Sequence, residues 1–328
     1  MAYNHYFYKP KVFLRNNYIQ TILGGTIFAN TRLAERKIHK VQLDTNSSLV
    51  AFELTSDSID APIVLLAHGM GGSTEAGYMR RIARKLWIRG FTVFMMNQRG
   101  SGLGMGLSDR LWNGGSSDDL DMMIKYIAKV YPNNPIDVVG FSLSGNILLK
   151  YLGEKGTSET KVRKAFAVSP PIDLKKASHV LSKTSKGAFL NRYYMKQIHI
   201  QMEAMVECFP DNFASPLTAK TILEFDEAYT APAAGYKNIH DYYSKCSSIR
   251  FLEDIAVPTT ILCAMDDPFV EATIFKSVRM SSSIELNTPE WGGHMGYISK
   301  RPTPWGDYRW MDFMVVDWPE LEKTRTNT

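Results

Sequence analysis

The stretch from Ile136 to Leu152 constrains the fold more than any other, because its apolar spacing changes period within a few residues. Ile136, Val138 and Val139 read as a short buried strand entered from Pro135, whereas Leu143, Ile147, Leu148 and Leu152 recur at helical spacing. Between them stands Gly140-Phe141-Ser142-Leu143-Ser144-Gly145, which leaves no room for a loop. A strand turning this abruptly into a helix needs small residues two places before and two places after the turn residue. Gly140 and Ser144 meet that need, and Gly145 eases the packing further. The turn lifts Ser142 clear of the backbone above the positive end of the new helix, the geometry of a nucleophile elbow. Ser stands where the second Gly of G-x-S-x-G is usual. Ser144 is the weaker nucleophile candidate, since Asn146 would then fill the small position after it; it reads as a packing residue of the turn.

The surrounding chain alternates strands and helices. Lys37–Leu43 and Leu49–Leu54 flank a hairpin turn at Asp44-Thr45-Asn46-Ser47, and Pro62–Ala67 is a continuous apolar run fit for a strand covered on both faces. A helix marked by Ile82, Leu86 and Trp87, with Arg on its outer side, precedes the strand Phe91–Met96. Leu120, Met123, Ile124 and Ile127 form the core face of a helix that Ser116-Ser117-Asp118-Asp119 is suited to cap. After the elbow, Ala165–Val168 is a sixth strand; Pro258–Ala264 and Ser283–Asn287 complete the sheet, and Tyr308–Trp318 predicts a closing amphipathic helix. This alternation implies an α/β fold with a mostly parallel eight-stranded sheet flanked by helices. Residues 174–248, rich in Met, Tyr and Phe and without a strand pattern, read as an inserted helical cap on a core of residues 1–173 and 249–328. The cap's apolar residues line an acyl pocket or simply pack its interior. Residues 1–35 show no clear period and are expected to wrap the outside.

Of the 328 residues 45% are hydrophobic and 12% aromatic, ample for a large buried sheet. The net charge of +5, with Lys and Arg scattered along the chain, argues against a nucleic-acid partner and leaves room for no more than transient contact with a lipid surface. Three cysteines (Cys208, Cys246, Cys263) lack metal-ligand spacing and fit reduced thiols of a cytoplasmic protein. Neither a signal peptide nor a spanning segment is expected. The glycine-rich loops at Gly69 and Gly100 follow strands but lack the order of a dinucleotide or phosphate fingerprint, so no cofactor and no metal are expected.

A serine hydroxyl is a poor nucleophile until a base takes its proton, and that base must itself be oriented and charge-stabilised. With the serine on an elbow, acid and base are expected after later strands in the order Ser, acid, His. Asp266 and Asp267 follow the strand ending at Ala264; His294, in Gly292-Gly293-His294-Met295-Gly296, follows the last one. Flanking glycines allow that loop to bring the imidazole over the sheet edge. His179, His199 and His240 fall in the insertion. Ala264-Met265-Asp266-Asp267-Pro268 favours Asp267, three places after a small residue and before Pro, with Asp266 serving the turn or supporting from behind. Asp173 is a third candidate, although Ser169-Pro170-Pro171 marks it as the start of the insertion. Attack on a carbonyl creates an oxyanion that needs backbone donors. The amide of Leu143 and that of Met70, in the loop after the third strand, are the candidates. His68 is expected to brace that loop, and Arg99 to tie loops together or to meet substrate.

Taken together, Asn17-Tyr18-Ile19-Gln20-Thr21-Ile22, His68-Gly69-Met70-Gly71-Gly72-Ser73, Asn97-Gln98-Arg99-Gly100, Gly140-Phe141-Ser142-Leu143-Ser144-Gly145-Asn146, Ala264-Met265-Asp266-Asp267-Pro268-Phe269 and Gly292-Gly293-His294-Met295-Gly296 resemble the YheT-like hydrolases, bacterial relatives of ABHD-type acylglycerol lipases. The resemblance runs from about residue 10 to about residue 300. It implies an α/β-hydrolase fold, a triad of Ser142, Asp267 and His294, oxyanion donors at Met70 and Leu143, and hydrolysis of carboxylic or acylglycerol esters. Two features depart from it: Ser144 replaces the usual Gly, and no counterpart of the N-terminal membrane helix of the animal members is expected. The expected partner is a small-molecule acyl ester. Thioester hydrolysis or acyl transfer through the same triad is the alternative chemistry. A binding protein on the same scaffold is the alternative class, one with no need to keep all three side chains. Oligomeric state is left open.

Overall fold

A sheet made of apolar runs must be covered on both faces, and the chain does this with one helix layer on each side. The computed structural model describes residues 8–26, 31–33, 35–158, 160–210 and 218–318. The strands are β1 (Lys37–Asp44), β2 (Ser47–Leu54), β3 (Ile63–Ala67), β4 (Thr92–Asn97), β5 (Ile136–Phe141), β6 (Val162–Val168), β7 (Thr259–Leu262) and β8 (Ile284–Asn287). They form one sheet in the order β1-β2-β4-β3-β5-β6-β7-β8. The hairpin β1–β2 pairs antiparallel with itself and with β4; every pairing from β4 to β8 is parallel.

The helices are α1 (Asn17–Thr26), α2 (Gly77–Ile88), α3 (Ser117–Val130), α4 (Leu143–Lys155), α5 (Leu174–Lys183), α6 (Ala188–Cys208), α7 (Ile222–Phe225), α8 (Ala231–Ala233), α9 (Ile239–Cys246) and α10 (Trp310–Asp317). Successive residues of β3 feed opposite cores. Ile63 and Leu65 pack with α3 and α4, Val64 and Leu66 with α2 and α10. The helices α5 to α9 lie between β6 and β7, and among the described residues 174–248 hold no strand.

Four expectations need correction. Residues 17–26 are helix rather than an irregular wrap, and Gln20 within them is fully buried; residues 1–7, 27–30 and 34 lie outside the described ones. α10 is not amphipathic: Trp310, Met311, Asp312, Met314, Val315 and Val316 are all buried. Its polar position, Asp312, accepts from Arg81 at 2.9 Å and Lys85 at 3.0 Å. Arg81 is therefore buried rather than on α2's outer side, and Lys85 is buried with it, their stems packed and their heads neutralised. Ser116 does not cap α3 with its hydroxyl, which accepts from the Asn113 amide instead.

Candidate active site

Because β4 to β8 are parallel, the loops leaving β3, β4, β5, β7 and β8 all emerge at one edge of the sheet. β3 lies between β4 and β5, so the chain departs to opposite sides there and opens a crevice at the strands' carboxyl ends. Ser142 sits at that point, directly after β5, with φ 52° and ψ −118°. This is a left-handed conformation a non-glycine residue adopts only where its surroundings enforce it. The enforcement is steric. A Cβ at Gly140 would lie 2.4 Å from the Ser144 carbonyl oxygen, so no side chain fits beneath the turn. Ser144 uses the room a Gly would leave: its hydroxyl donates to the His68 carbonyl at 2.6 Å and accepts from Gln98 Nε2 at 2.6 Å.

The structure brings Ser142, His294 and Asp267 into one hydrogen-bonded chain. His294 Nε2 is 2.8 Å from Ser142 Oγ, and His294 Nδ1 is 2.8 Å from Asp267 Oδ2. A carboxylate only accepts, so Nδ1 carries the proton and Nε2 is left to accept from the serine hydroxyl. Asp267 Oδ1 accepts from the amides of Phe269 and Val270 at 3.2 and 3.0 Å. The Phe269 ring lies against the imidazole, 4.2 Å between centroids. Asp266 faces the other way, accepting from the Gly293 amide at 2.8 Å; burial, reinforced by the charge of Asp267, raises its pKa despite that amide. Asp173 caps α5 by accepting from the Lys176 amide. His179, His199 and His240 stand on α5, α6 and α9, outside this chain of hydrogen bonds.

Residues with no site role expected from the sequence sit on α1. Asn17, Gln20 and Thr21 are spaced i, i+3, i+4 and therefore share one helix face. Asn17 Nδ2 donates to the Asp266 carbonyl at 2.8 Å, Thr21 Oγ1 accepts from the His294 amide at 2.9 Å, and Gln20 Oε1 accepts from the Ile298 amide at 2.8 Å. This polar triplet at helical spacing was a legible signal of a helix docked on backbone. The loop it grips is strained, with Met295 at φ 62° and Tyr297 at φ 44°. Gly293 has φ 55°, and a Cβ there would lie 2.3 Å from the Asn17 carbonyl oxygen. Gly293→Ala should therefore displace the imidazole and lower kcat on a soluble ester by about 10²-fold. Steady-state kinetics beside a melting curve check this, and an unchanged kcat in a folded variant would contradict the placement of His294.

Met70 lies in the loop after β3. A Cβ on its neighbour Gly69 would stand 3.1 Å from Ser142 Cβ, so this backbone runs directly along the serine. Among the described residues, the amides of Met70 and Leu143 make no hydrogen bond. The loop is braced as expected: His68 Nδ1 donates to the Gly69 carbonyl at 2.8 Å, and Nε2 accepts from the Gln98 amide at 3.1 Å. Burial pushes the His68 pKa down to about 4, so the ring is neutral in this role. Arg99 is taken up by Asp119 (2.7 and 2.8 Å) and Asp44 (3.2 Å), tying β4's loop to α3 and to the β1–β2 turn rather than facing substrate.

Two cavities meet at Ser142. The larger, about 260 Å³, opens past His294 between α1 and α6 and is walled by Ile22, Tyr78, Phe189, Tyr193 and Tyr194. The narrower, about 40 Å³, runs from Met70 and Leu143 under α5, α7 and α9 and includes Ser178, Asp226 and Tyr243. Aromatic residues of the helical segment line these spaces, whereas its buried methionines Met195, Met202 and Met205 belong to the core. Tyr243 Oη lies 2.9 Å from Asp226 Oδ2 and 2.7 Å from Ser178 Oγ. Among the described residues no group of three or more His, Cys, Asp or Glu is placed to hold a metal ion.

Burial raises the Asp226 pKa from 3.8 to about 7. Between those values the folded protein binds a proton the unfolded chain has lost, so this contribution to stability is complete below about pH 4 and gone above pH 7. Asp226→Asn should match the wild type at pH 4 and exceed it at pH 8, by roughly 2–4 kcal/mol at most. Urea midpoints at the two pH values test this. His68 has the opposite sign: its depressed pKa costs stability as pH falls from 6.5 toward 4.

A family model described as alpha/beta hydrolase fold matches residues 62–300. Among curated proteins the chain is 28% identical over 262 residues to "Putative esterase YheT" of Escherichia coli K12, covering 78% of this chain and 76% of that one. It is 29% identical over 262 residues to the monoacylglycerol lipase of Saccharomyces cerevisiae, covering 76% of this chain and 57% of the yeast protein. Among solved structures, the Pyrococcus furiosus esterase Pf2001 aligns over 89% of this chain and 88% of its own, with a TM-score of 0.53 and 18% identity, a likeness of fold.

Proposed function

Because this chain belongs to the alpha/beta hydrolase fold family and has YheT and a lipase among its relatives, we propose that it hydrolyses carboxylic esters through Ser142, His294 and Asp267. One observation carries this: the unbroken chain of 2.8 Å contacts from hydroxyl to imidazole to carboxylate, buried at the meeting point of two cavities.

Ser142 Oγ attacks the ester carbonyl carbon as its proton passes to His294 Nε2. Asp267 holds the imidazole in the tautomer that can receive that proton and stabilises the resulting cation. The carbonyl electrons move onto oxygen, where the Met70 and Leu143 amides stabilise the charge. Collapse breaks the bond to the alcohol oxygen, which leaves with the proton from Nε2, and Ser142 remains acylated. Water then attacks the acyl-enzyme, giving its proton to Nε2; the carboxylic acid departs and Ser142 regains its hydrogen. Residues 174–248 act as the cap, their aromatic side chains shaping the space for the acyl chain. The free thiols Cys208, Cys246 and Cys263 suit a reducing compartment, and we place the protein in the cytoplasm. A fluorophosphonate probe should label the protein at a single serine, with the mass increment on the peptide containing Ser142. A folded protein that stays unlabelled would remove the proposal.

A further inference from the structure

The net charge of +5 conceals a division. Residues 1–34 and 174–202 together hold ten Lys and Arg and no Asp or Glu, leaving 28 against 33 in the remainder. The cations remain scattered along the chain, but these two segments lack any acid to offset theirs, and the fold brings α1 beside the start of α6. Tyr18 on α1 donates to the Lys186 carbonyl at 2.6 Å, and α1 and α6 wall the same large cavity. All ten basic residues are exposed; Lys176 lies 3.9 Å from Glu271.

Large apolar side chains are exposed among them. On α6, Phe189, Arg192, Tyr193, Lys196 and Ile200 recur at one face's spacing and are all exposed. Phe189 is 56% and Tyr193 54% exposed although both line the cavity; Ile19 and Ile22 of α1 are each 39% exposed. Val12 at 76% and Phe13 at 66% precede α1. We propose that this face docks on an anionic phospholipid surface, bringing the cavity mouth to the interface so that an acyl lipid can pass from it toward Ser142, the second half of which rests on the hydrolase reading. The chemistry matches on both counts: apolar side chains sink to the headgroup boundary while surrounding Lys and Arg meet anionic lipid. A second copy is a poor occupant, since it would set two strongly cationic faces against each other.

The test is co-sedimentation of the Ser142→Ala protein, which needs no turnover, with vesicles of phosphatidylcholine alone or containing about 30% phosphatidylglycerol. Binding should require the anionic lipid and fall at least about tenfold between about 0.1 and 0.5 M NaCl. Combining Lys183→Glu, Lys186→Glu, Arg192→Glu and Lys196→Glu should abolish it. The same four changes in the protein with Ser142 intact should leave kcat/KM on soluble p-nitrophenyl butyrate within about twofold of the wild type. Val12→Ser with Phe13→Ser should weaken binding without altering its salt dependence. Equal partition onto neutral vesicles would overturn the proposal, as would no binding at low salt. So would capture by single-stranded DNA in place of vesicles, or a dimer that the charge reversals dissociate. Vesicle binding by the protein with Ser142 intact, together with no hydrolysis of any ester, would count against the hydrolase reading alone.

Discussion

Ser142→Ala is expected to fold like the parent and to hydrolyse p-nitrophenyl butyrate about 10⁴–10⁶-fold more slowly in kcat. The size of the loss comes from removing the only atom among the described residues to which His294 Nε2 is hydrogen-bonded, 2.8 Å away. In the proposed mechanism, base and carboxylate then have no nucleophile to activate, and the residual rate would reflect binding and the amides proposed to hold the oxyanion. His294→Ala should cost a similar factor, and the double variant little more than either alone, as expected if the three groups act as the proposed unit. Ser144→Ala is the control: its hydroxyl is bonded to His68 and Gln98 and should matter to loop stability far more than to chemistry. Activity surviving in Ser142→Ala but not in Ser144→Ala would reassign the nucleophile.

Asp267→Asn should lower kcat by about 10⁴-fold, whereas Asp266→Asn should stay within about tenfold of the parent. The difference follows from what each oxygen touches. Asp267 Oδ1 accepts from two backbone amides, so an Asn there keeps its carbonyl oxygen in that position and turns its NH2 toward His294 Nδ1. The imidazole then accepts at Nδ1 and carries its proton on Nε2, where it repels the serine hydroxyl instead of receiving its hydrogen. Asp266 offers one oxygen to the Gly293 amide, which an Asn carbonyl reproduces, and its other buried oxygen has no partner among the described residues. The neutral amide should therefore relieve a desolvation cost there. Comparable losses in both variants would mean that the two carboxylates act together.

Local pattern was enough for the sheet, the elbow and the order in which Ser142, the aspartates and His294 appear. These depend on neighbours in the chain: a change from strand to helical period, a steric need for small residues, and glycines around a histidine. The role of α1 was missed for the opposite reason. Its polar face is satisfied by backbone groups some 250 to 280 residues away, a relation that apolar periodicity does not record. The burial of Arg81 and Lys85 was hidden likewise, because their counter-charge Asp312 arrives only when α10 docks on α2.

By itself, then, the amino-acid order determined that a serine would be raised on a strained turn at the end of a buried strand, since that turn is a matter of sterics within six residues. Only the tertiary structure decided that Asp267 rather than Asp266 faces the imidazole and that Arg99 is held by carboxylates. It also decided that α1 and α6, from two segments that carry Lys and Arg but no acid, wall one cavity. Hydrogen-bond partners and surface charge are properties of where the loops meet in space, and spacing along the chain carries no direct record of that.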